Sequence, residues 1–320
     1  MSTPLRSRIA VATAVLCLTL PALAAESIKL LIPANPGGGW DSTGRELAKA
    51  MQSAGAVKNV QFDNKGGAGG TIGLAQFVNS AKGDPNATMM TGLVMVGGIV
   101  MNKSPVNLSQ VTPLARLMSE YEVIVVPASG PKTLKELVDK FKANPGSVSW
   151  GGGSAGGVDH ILAGMVAQAV GVQPSKVNYV PFKGGGDTVS AIIGGHVSAG
   201  IAGLGEFAQH IQSGKMRALA ISSDKRLPGV NIPTLKEQGV DVELANWRGI
   251  VAAPGITQAQ REELIKAVEK GVKSKEWQET LKKNEWSDYY LAGDAFTAYI
   301  DSEMKRLNGV LGGLDLGGKK

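Results

Sequence analysis

Apolar residues in this chain come in short unbroken runs. Between them lie glycine-containing loops followed by stretches with helical spacing. Residues 28–32 read as a buried strand and 35–39 as a loop, and Asp41-Ser42-Thr43 opens a helix running to about Ser53. The unit recurs as strand 60–62, loop 66–70 and helix 71–80, then as a strand over 88–96 that ends at Gly97-Gly98. Residues 123–126 are apolar and β-branched, and 132–142 form an amphipathic helix. Strand 147–150, loop 151–157 and helix 158–170 follow. The scheme returns as strand 177–180, the glycines 184–186 and a helix from Asp187, then strand 199–202 with a helix over 206–212, and strand 216–221. Beyond Thr257 the pattern turns helical, over 258–273, 276–283 and 293–311, with 312–320 as a loose tail. Strands alternating with helices predict βαβ units and parallel sheet, and continuous apolar strands imply helices on both faces.

Composition sharpens this picture at one residue type. Glycine supplies 43 of 320 positions, about 13% against the roughly 7% of an average protein. With 43% hydrophobic and 19% charged residues the chain is not disordered, and the glycines have no collagen period. The length suggests two domains.

Arg6 and Arg8, an apolar run over 9–20 and the small-residue pattern Ala22-Leu23-Ala24 have the layout of a cleavable secretory leader, residues 1–24. Cys17, the single cysteine, lies in that run, so the exported chain is expected to have no thiol or disulfide chemistry. Leu16 before it argues against lipid anchoring. The formal charge of +6 falls slightly with the leader, and a mildly basic exported protein is expected to meet anions and no nucleic acid.

Four glycine clusters fall between the end of a strand and the start of a helix. That junction carries unpaired backbone N–H groups and the positive end of the helix dipole, which makes it an anion site. Glycine lets the backbone take positive φ and approach a ligand closely, although tight turns alone also favour it. Gly151, Gly153 and Gly156 fit the dinucleotide fingerprint, but the strand over 177–180 lacks the acid that the fingerprint requires. Gly152, Ser154 and Gly156 also fit the nucleophile elbow of serine hydrolases, with His196 or His210 and Asp187 as formal partners. That hydrolase remains the alternative. No cysteine-histidine spacing or calcium loop predicts a metal, and no cofactor is expected.

The run Pro36-Gly37-Gly38-Gly39-Trp40-Asp41 with Arg45, and Asn64 followed by residues 67–73, resemble the two signature loops of tripartite tricarboxylate transporter substrate-binding proteins (the Bug or TctC-like family). Similar stretches continue in order: Trp150 to Ser154 with His160, Val180 to Gly184 with Asp187, 214–220, Pro233-Thr234-Leu235, and Asn246-Trp247-Arg248-Gly249 with Ala253-Pro254-Gly255. The first loop looks closest to the tricarboxylate branch. The chain departs from the pattern at Asn64-Lys65-Gly66, at residues 82–88 and at Phe182, where tyrosine is common.

The resemblance implies an α/β, two-lobed periplasmic binding protein, type II-like, with two Rossmann-like domains joined by crossover strands. We place the crossovers near 121–126 and 247–252, which gives a first lobe of 25–123 with 248–320 and a second of 124–247. The expected role is capture of a di- or tricarboxylate in the periplasm, by a monomer that delivers it to two integral-membrane transporter subunits. The first lobe is expected to hold one carboxylate with Gly38, Gly39, Trp40, Gly67, Ala68, Gly69 and Thr71. The second would supply Ser154, backbone donors at Ala155 and Gly156, and Lys183 with Gly184. Glu206 is a candidate acceptor for a distal hydroxyl or ammonium, and Arg248 a candidate for a second carboxylate or a hinge ion pair. Asp41 is expected to cap its helix and leave the ligand alone.

Overall fold

The computed structural model describes residues 25–182 and 185–312. The leader (1–24), Lys183, Gly184 and the end of the tail lie outside the described residues.

The chain alternates as the hydrophobic pattern predicts, with three differences. The first βα units are β1 (Ala25–Ile32), α1 (Gly39–Ser53), β2 (Val57–Asn64), α2 (Thr71–Ser80) and β3 (Ala87–Gly92). The expected strand over 88–96 then stops at Gly92, and α3 (Leu93–Met101) begins at once. The second difference is β4 (Thr112–Pro127), which is far longer than its apolar 123–126 segment. The second set of units comprises α4 (Leu134–Ala143), β5 (Ser149–Gly152), α5 (Val158–Ala169), β6 (Asn178–Pro181), α6 (Gly185–Ile193), β7 (Ala199–Gly203), α7 (Leu204–Gln212) and β8 (Met216–Ile221). Then come β9 (Ala245–Ala252), α8 (Gln258–Val272), α9 (Lys275–Lys283), β10 (Ser287–Ala292) and α10 (Gly293–Leu311). The third difference is β10, which the helical reading of the C-terminal region did not include.

One ten-stranded sheet runs through the molecule, and β4 divides it. From Thr112 to Tyr121, β4 pairs antiparallel with β9 and, on its other edge, with β10. From Glu122 onward it pairs antiparallel with β7 and β8. The first segment is therefore β2-β1-β3-β9-β4-β10, and the second is β8-β4-β7-β5-β6. Each segment has a parallel βαβ part, β1 with β2 and β3 in one, β5 with β6 and β7 in the other. The result is the two-lobed α/β fold that the resemblance implies.

Local chemistry accounts for the helices. Thr133 caps α4 by accepting from Glu136 N (3.2 Å), and Leu134, Leu137 and Phe141 form its buried stripe. A reciprocal capping box of Thr257 and Gln260 starts α8. The C-terminal helices return to the first segment: Gly271 of α8 meets Met51 of α1, and Trp247 of β9 stacks edge-on against Phe296 and Tyr299 of α10. No described helix is long and apolar enough to cross a membrane.

Candidate functional site

The loop between β1 and α1 is organised by one carboxylate. Asp41, in the first turn of α1, accepts from Gly37 N (2.9 Å), Arg45 Nε (2.9 and 3.0 Å) and Asn64 Nδ2 (3.0 Å). The Arg45 hydrogen bond first of all, with Gly37 and Asn64, holds its carboxyl down at about 2 against the opposing effect of burial. Asp41 therefore ties the glycine loop to α1 and to the end of β2, and its acceptor capacity is spent inside the protein. Its carboxylate reaches back past Gly38, the N-cap residue, which has no side-chain cap of its own.

The second loop carries four successive positive φ values: Gly67 (129°), Ala68 (50°), Gly69 (63°) and Gly70 (89°). Only glycine adopts such angles without strain, so Ala68 is the costly member. Three bonds hold it there. Thr71 Oγ1 and Asn102 Nδ2 both donate to Ala68 O (2.9 and 3.0 Å), and Gly70 N donates to Gly67 O (2.9 Å). Thr71 thus supports the loop from beneath and is buried.

The two loops face a cavity of about 350 Å³. Gly39, Trp40, Gly67, Ala68, Gly69 and Arg248 line it, as do Asn35, Gly66, Gly70, Val94 and Asn246, which the sequence reading had not placed there. Asn246 belongs to the run Asn246-Trp247-Arg248-Gly249 and Asn35 to the first loop, so the sequence carries a signal for both. Val94 was hidden because its helix had been read as strand. Gly38 and Thr71 are adjacent to the lining and not part of it.

Arg248 joins the cavity to the crossover. Its Nη1 donates to Gly39 O (3.1 Å) and Thr43 Oγ1 (2.8 Å), and its Nη2 pairs with Glu120 on β4 (2.9 Å). The hinge ion pair is thus present, on a guanidinium that also borders the cavity. A Cβ on Gly39 would collide with Arg248 Nη2, so a side chain there would displace the guanidinium.

In the second lobe the β5–α5 loop is largely committed to its own bonds. Gly153 N donates to Asp159 Oδ2 (2.6 Å), Tyr179 Oη to Gly153 O (2.9 Å), and Gly156 N to His160 Nδ1 (3.0 Å). The Gly156 N–H is taken by His160, and a Cβ on Gly156 would meet Met101 of α3. Ser154 and Ala155 stay exposed, outside the cavity lining, and Glu206 lies in the first turn of α7. Lys183 and Gly184 fall outside the described residues.

Among the described residues no histidine is hydrogen-bonded to Ser154, the serine of the hydrolase elbow. His160 stacks flat on Tyr179 (centroids 4.2 Å apart), burial lowers its pKa to about 4, and its Nδ1 is occupied. His210 sits in the last turn of α7 and His196 just beyond α6. Among the described residues no group of three or more His, Cys, Asp or Glu could hold a metal ion.

Behind the crossover is a set of carboxyls that no spacing in the sequence connects. Glu122 is 2% exposed; its Oε1 accepts weakly from Asn246 Nδ2 (3.4 Å), and its carboxyl is hydrogen-bonded to that of Asp159. Burial, then Asp159, Glu120 and Glu206, push its pKa well up. The Asp159 carboxyl is raised by burial as well, while the Gly153 N–H favours its ionised form. The proton that the pair shares therefore belongs on Glu122.

Comparison with known proteins agrees with this geometry. A family model described as the tripartite tricarboxylate transporter family receptor matches residues 44–316. A UPF0065 protein of Cupriavidus necator is 29% identical over 97% of this chain and 96% of its own length. Protein BugT of Bordetella pertussis is 28% identical, covering 90% and 89%. A solved TctC solute-binding protein from Polaromonas superposes with a TM-score of 0.77 at 28% identity, over 90% of this chain and 99% of that one. MatC from Rhodopseudomonas palustris, solved with bound malate, shares the fold at 20% identity (TM-score 0.72; 89% and 99% covered).

Proposed function

The chain belongs to the tripartite tricarboxylate transporter family of receptors, and on that premise we propose that it captures an organic carboxylate between its lobes for uptake. The observation that carries the reading is the cavity itself. Two glycine loops at helix starts and one arginine surround a volume suited to a small acid, and the side chains nearby leave the backbone accessible. Malate in MatC, a protein of the same fold, is a ligand of that kind.

In this reading one carboxylate enters between Gly39–Trp40 and Gly67–Gly69, with Arg248 beside it. An arginine fork recognises a carboxylate by charge and shape together. Ser154 and Ala155 from the second lobe, with Lys183 and Gly184, close over the far side. The hinge is the point on β4 where the ladder changes partners, between Tyr121 and Glu122, with Leu244–Ala245 as the second crossing; these crossings lie close to, and slightly before, the boundaries of the division into 25–123 with 248–320 against 124–247. A ligand that touches both lobes favours the closed form, and closure is what the transporter would read. Receptors of this family work with a membrane transporter in the periplasm. For this chain we propose cleavage near Ala24, action as a monomer, and two integral-membrane partner subunits.

Thermal-shift titration against mono-, di- and tricarboxylates tests the reading. A rise in melting temperature with at least one organic acid, and none with the corresponding amide, is expected. No response to any carboxylate would sink it.

A further inference from the structure

We propose that Asn35 is a specificity-determining residue of the cavity, and that with Gly66 it selects acids bearing a hydroxyl on the carbon next to the bound carboxylate. This rests on the carboxylate-receptor reading and narrows its ligand class.

Asn35 stands at the seam of the two glycine loops. It belongs to the first, Gly66 opens the second, and both line the cavity. A Cβ on Gly66 would lie 2.5 Å from Asn35 Oδ1 and 3.0 Å from Asn35 N, so the Asn35 carboxamide fills the space that a side chain at 66 would need. Gly66 is not among the glycines at positive φ, so its backbone alone would admit alanine. The glycine at 66 thus makes room for the carboxamide. Asn35 is bonded through its main chain, where its C=O accepts from Gly38 N (3.3 Å). Its carboxamide has no hydrogen-bond partner among the described residues.

The rest of the lining decides what that carboxamide reads. Among the described residues no acid lines the cavity, so an ammonium on the ligand would meet no counter-charge. Arg248 is the one cation in the lining, and Glu120, Gly39 O and Thr43 Oγ1 already engage it. A second carboxylate at this end would therefore find no unshared positive charge. Asn246 brings another carboxamide to the lining, with its Nδ2 donating weakly to Glu122 Oε1 (3.4 Å) and its Oδ1 unbonded among the described residues. A carboxamide offers a donor and an acceptor without charge, which is what a hydroxyl matches. The analogue lacking the hydroxyl leaves these groups unpaired once the lobes exclude water, and that loss is the main source of discrimination. Because Asn35 lies where the two loops assigned to the carboxylate meet, the hydroxyl it reads belongs on the adjacent carbon.

Titration calorimetry on matched pairs tests this: glycolate with acetate, both enantiomers of lactate with propionate, and both enantiomers of malate with succinate. Where the wider carboxylate screen yields another binder, it and its 2-hydroxy derivative form a further pair. The hydroxy member of at least one pair is expected to bind at least about 10-fold tighter than its deoxy partner and than the corresponding 2-amino acid. Asn35→Ala should cut that preference to about 3-fold or less. Gly66→Ala keeps every polar side chain and pushes aside the tip of a rotatable one, so it should keep the fold by circular dichroism and cut the preference as far. The double variant should lose no more preference than either single one, because both act through one carboxamide. Equal affinities within every pair, a preference that survives Asn35→Ala, or loss of both members of a pair by the same factor would overturn the role of Asn35 and leave the carboxylate receptor standing. If no acid in these pairs or in the wider screen bound, the receptor reading and this selectivity would fall together.

Discussion

Gly69 and Gly98 meet backbone to backbone. A Cβ on Gly69 would stand 3.0 Å from Gly98 Cα, and one on Gly98 would stand 3.0 Å from Gly69 O and 3.1 Å from Ala68 O. Helix α3 thus serves as the floor of the second loop, and Asn102, one turn on, bonds both Gly98 O and Ala68 O. In a free helix Gly→Ala is stabilising by about 1 kcal/mol. At Gly98 the sign should reverse, because the atoms in the way are backbone. Gly98→Ala is expected to lower the melting temperature and weaken carboxylate binding at least about 10-fold. Differential scanning calorimetry with and without ligand reads both, and an unchanged ligand-induced shift would show that the loop does not need this floor.

The helix that provides this floor was also the part of the fold least visible in the sequence. Residues 88–96 are apolar and partly β-branched, so neither period is favoured over them, and Gly92 carries no side-chain cap to announce α3. The glycine itself has a tertiary reason: a Cβ on Gly92 would lie 2.5 Å from Trp247 O in the neighbouring strand β9. The two glycine loops were legible because glycine before an apolar helix is a local signal. β4 was legible only over its apolar end, since Pro113, Arg116, Ser119 and Glu120 interrupt the rest of it. Arg116 is accommodated by stacking between Tyr289 and Tyr299, at 3.5 and 4.2 Å from the ring centroids, which only the folded chain brings together. The Glu122–Asp159 meeting likewise depends on tertiary packing.

Asp41 should make the protein acid-sensitive in a definite window. Its carboxyl titrates at about 2 in the fold against 3.8 unperturbed, so the unfolded chain takes up the proton first. The stabilisation is complete above the unperturbed value and is lost as pH falls from about 4 toward 2. The shift corresponds to about 2 kcal/mol. Asp41→Asn should lower the urea-unfolding free energy at pH 7 by that order and flatten this part of the pH profile. If the profile below pH 4 were unchanged, Arg45 and Asn64 would not be holding the loop through this carboxylate.

His160 adds a second window at higher pH. Burial lowers its pKa from 6.5 to about 4, so between these values the unfolded chain binds the proton and the folded chain does not. Stability is therefore full above about 6.5 and declines as pH falls toward 4, by up to about 3 kcal/mol. His160→Asn keeps an acceptor for Gly156 N without titrating in this range. The variant should be less stable at pH 7, through loss of the Tyr179 stack, and should lack this decline. With Asp159 raised to about 6 by burial and still taking up its proton in the fold, denaturant titrations should show stability rising as pH falls from 6.5 to 4.5.

Ser154 separates binding from hydrolysis. It is exposed, and the nearby imidazole is occupied at Nδ1 by Gly156 N. Wild type and Ser154→Ala should both show no turnover of short-chain nitrophenyl esters above background, while Ser154→Ala weakens carboxylate affinity by about 3- to 10-fold, the scale of one hydrogen bond. Turnover abolished by the substitution would restore the hydrolase.

Arg248 has both a structural and a ligand-facing role, and a pair of substitutions can separate them. One guanidinium reaches Gly39 O, Thr43 Oγ1 and Glu120, so it clamps the first loop to the crossover while bordering the cavity. A lysine ammonium can satisfy one of those directions and cannot reproduce the planar fork. Arg248→Lys should therefore cost on the order of 1–3 kcal/mol of stability and weaken carboxylate binding about 10- to 100-fold. Glu120→Gln removes the competing charge and leaves the guanidinium in place. Its stability should fall by about 1 kcal/mol, while affinity for a simple monocarboxylate holds or rises, because the arginine is freed toward the ligand. Opposite signs for stability and affinity in Glu120→Gln, read by urea unfolding and calorimetry on the same preparation, would show a guanidinium shared between hinge and ligand. If affinity fell in parallel with stability in both variants, Arg248 would be a strut alone, and recognition of the carboxylate would rest on the glycine loops.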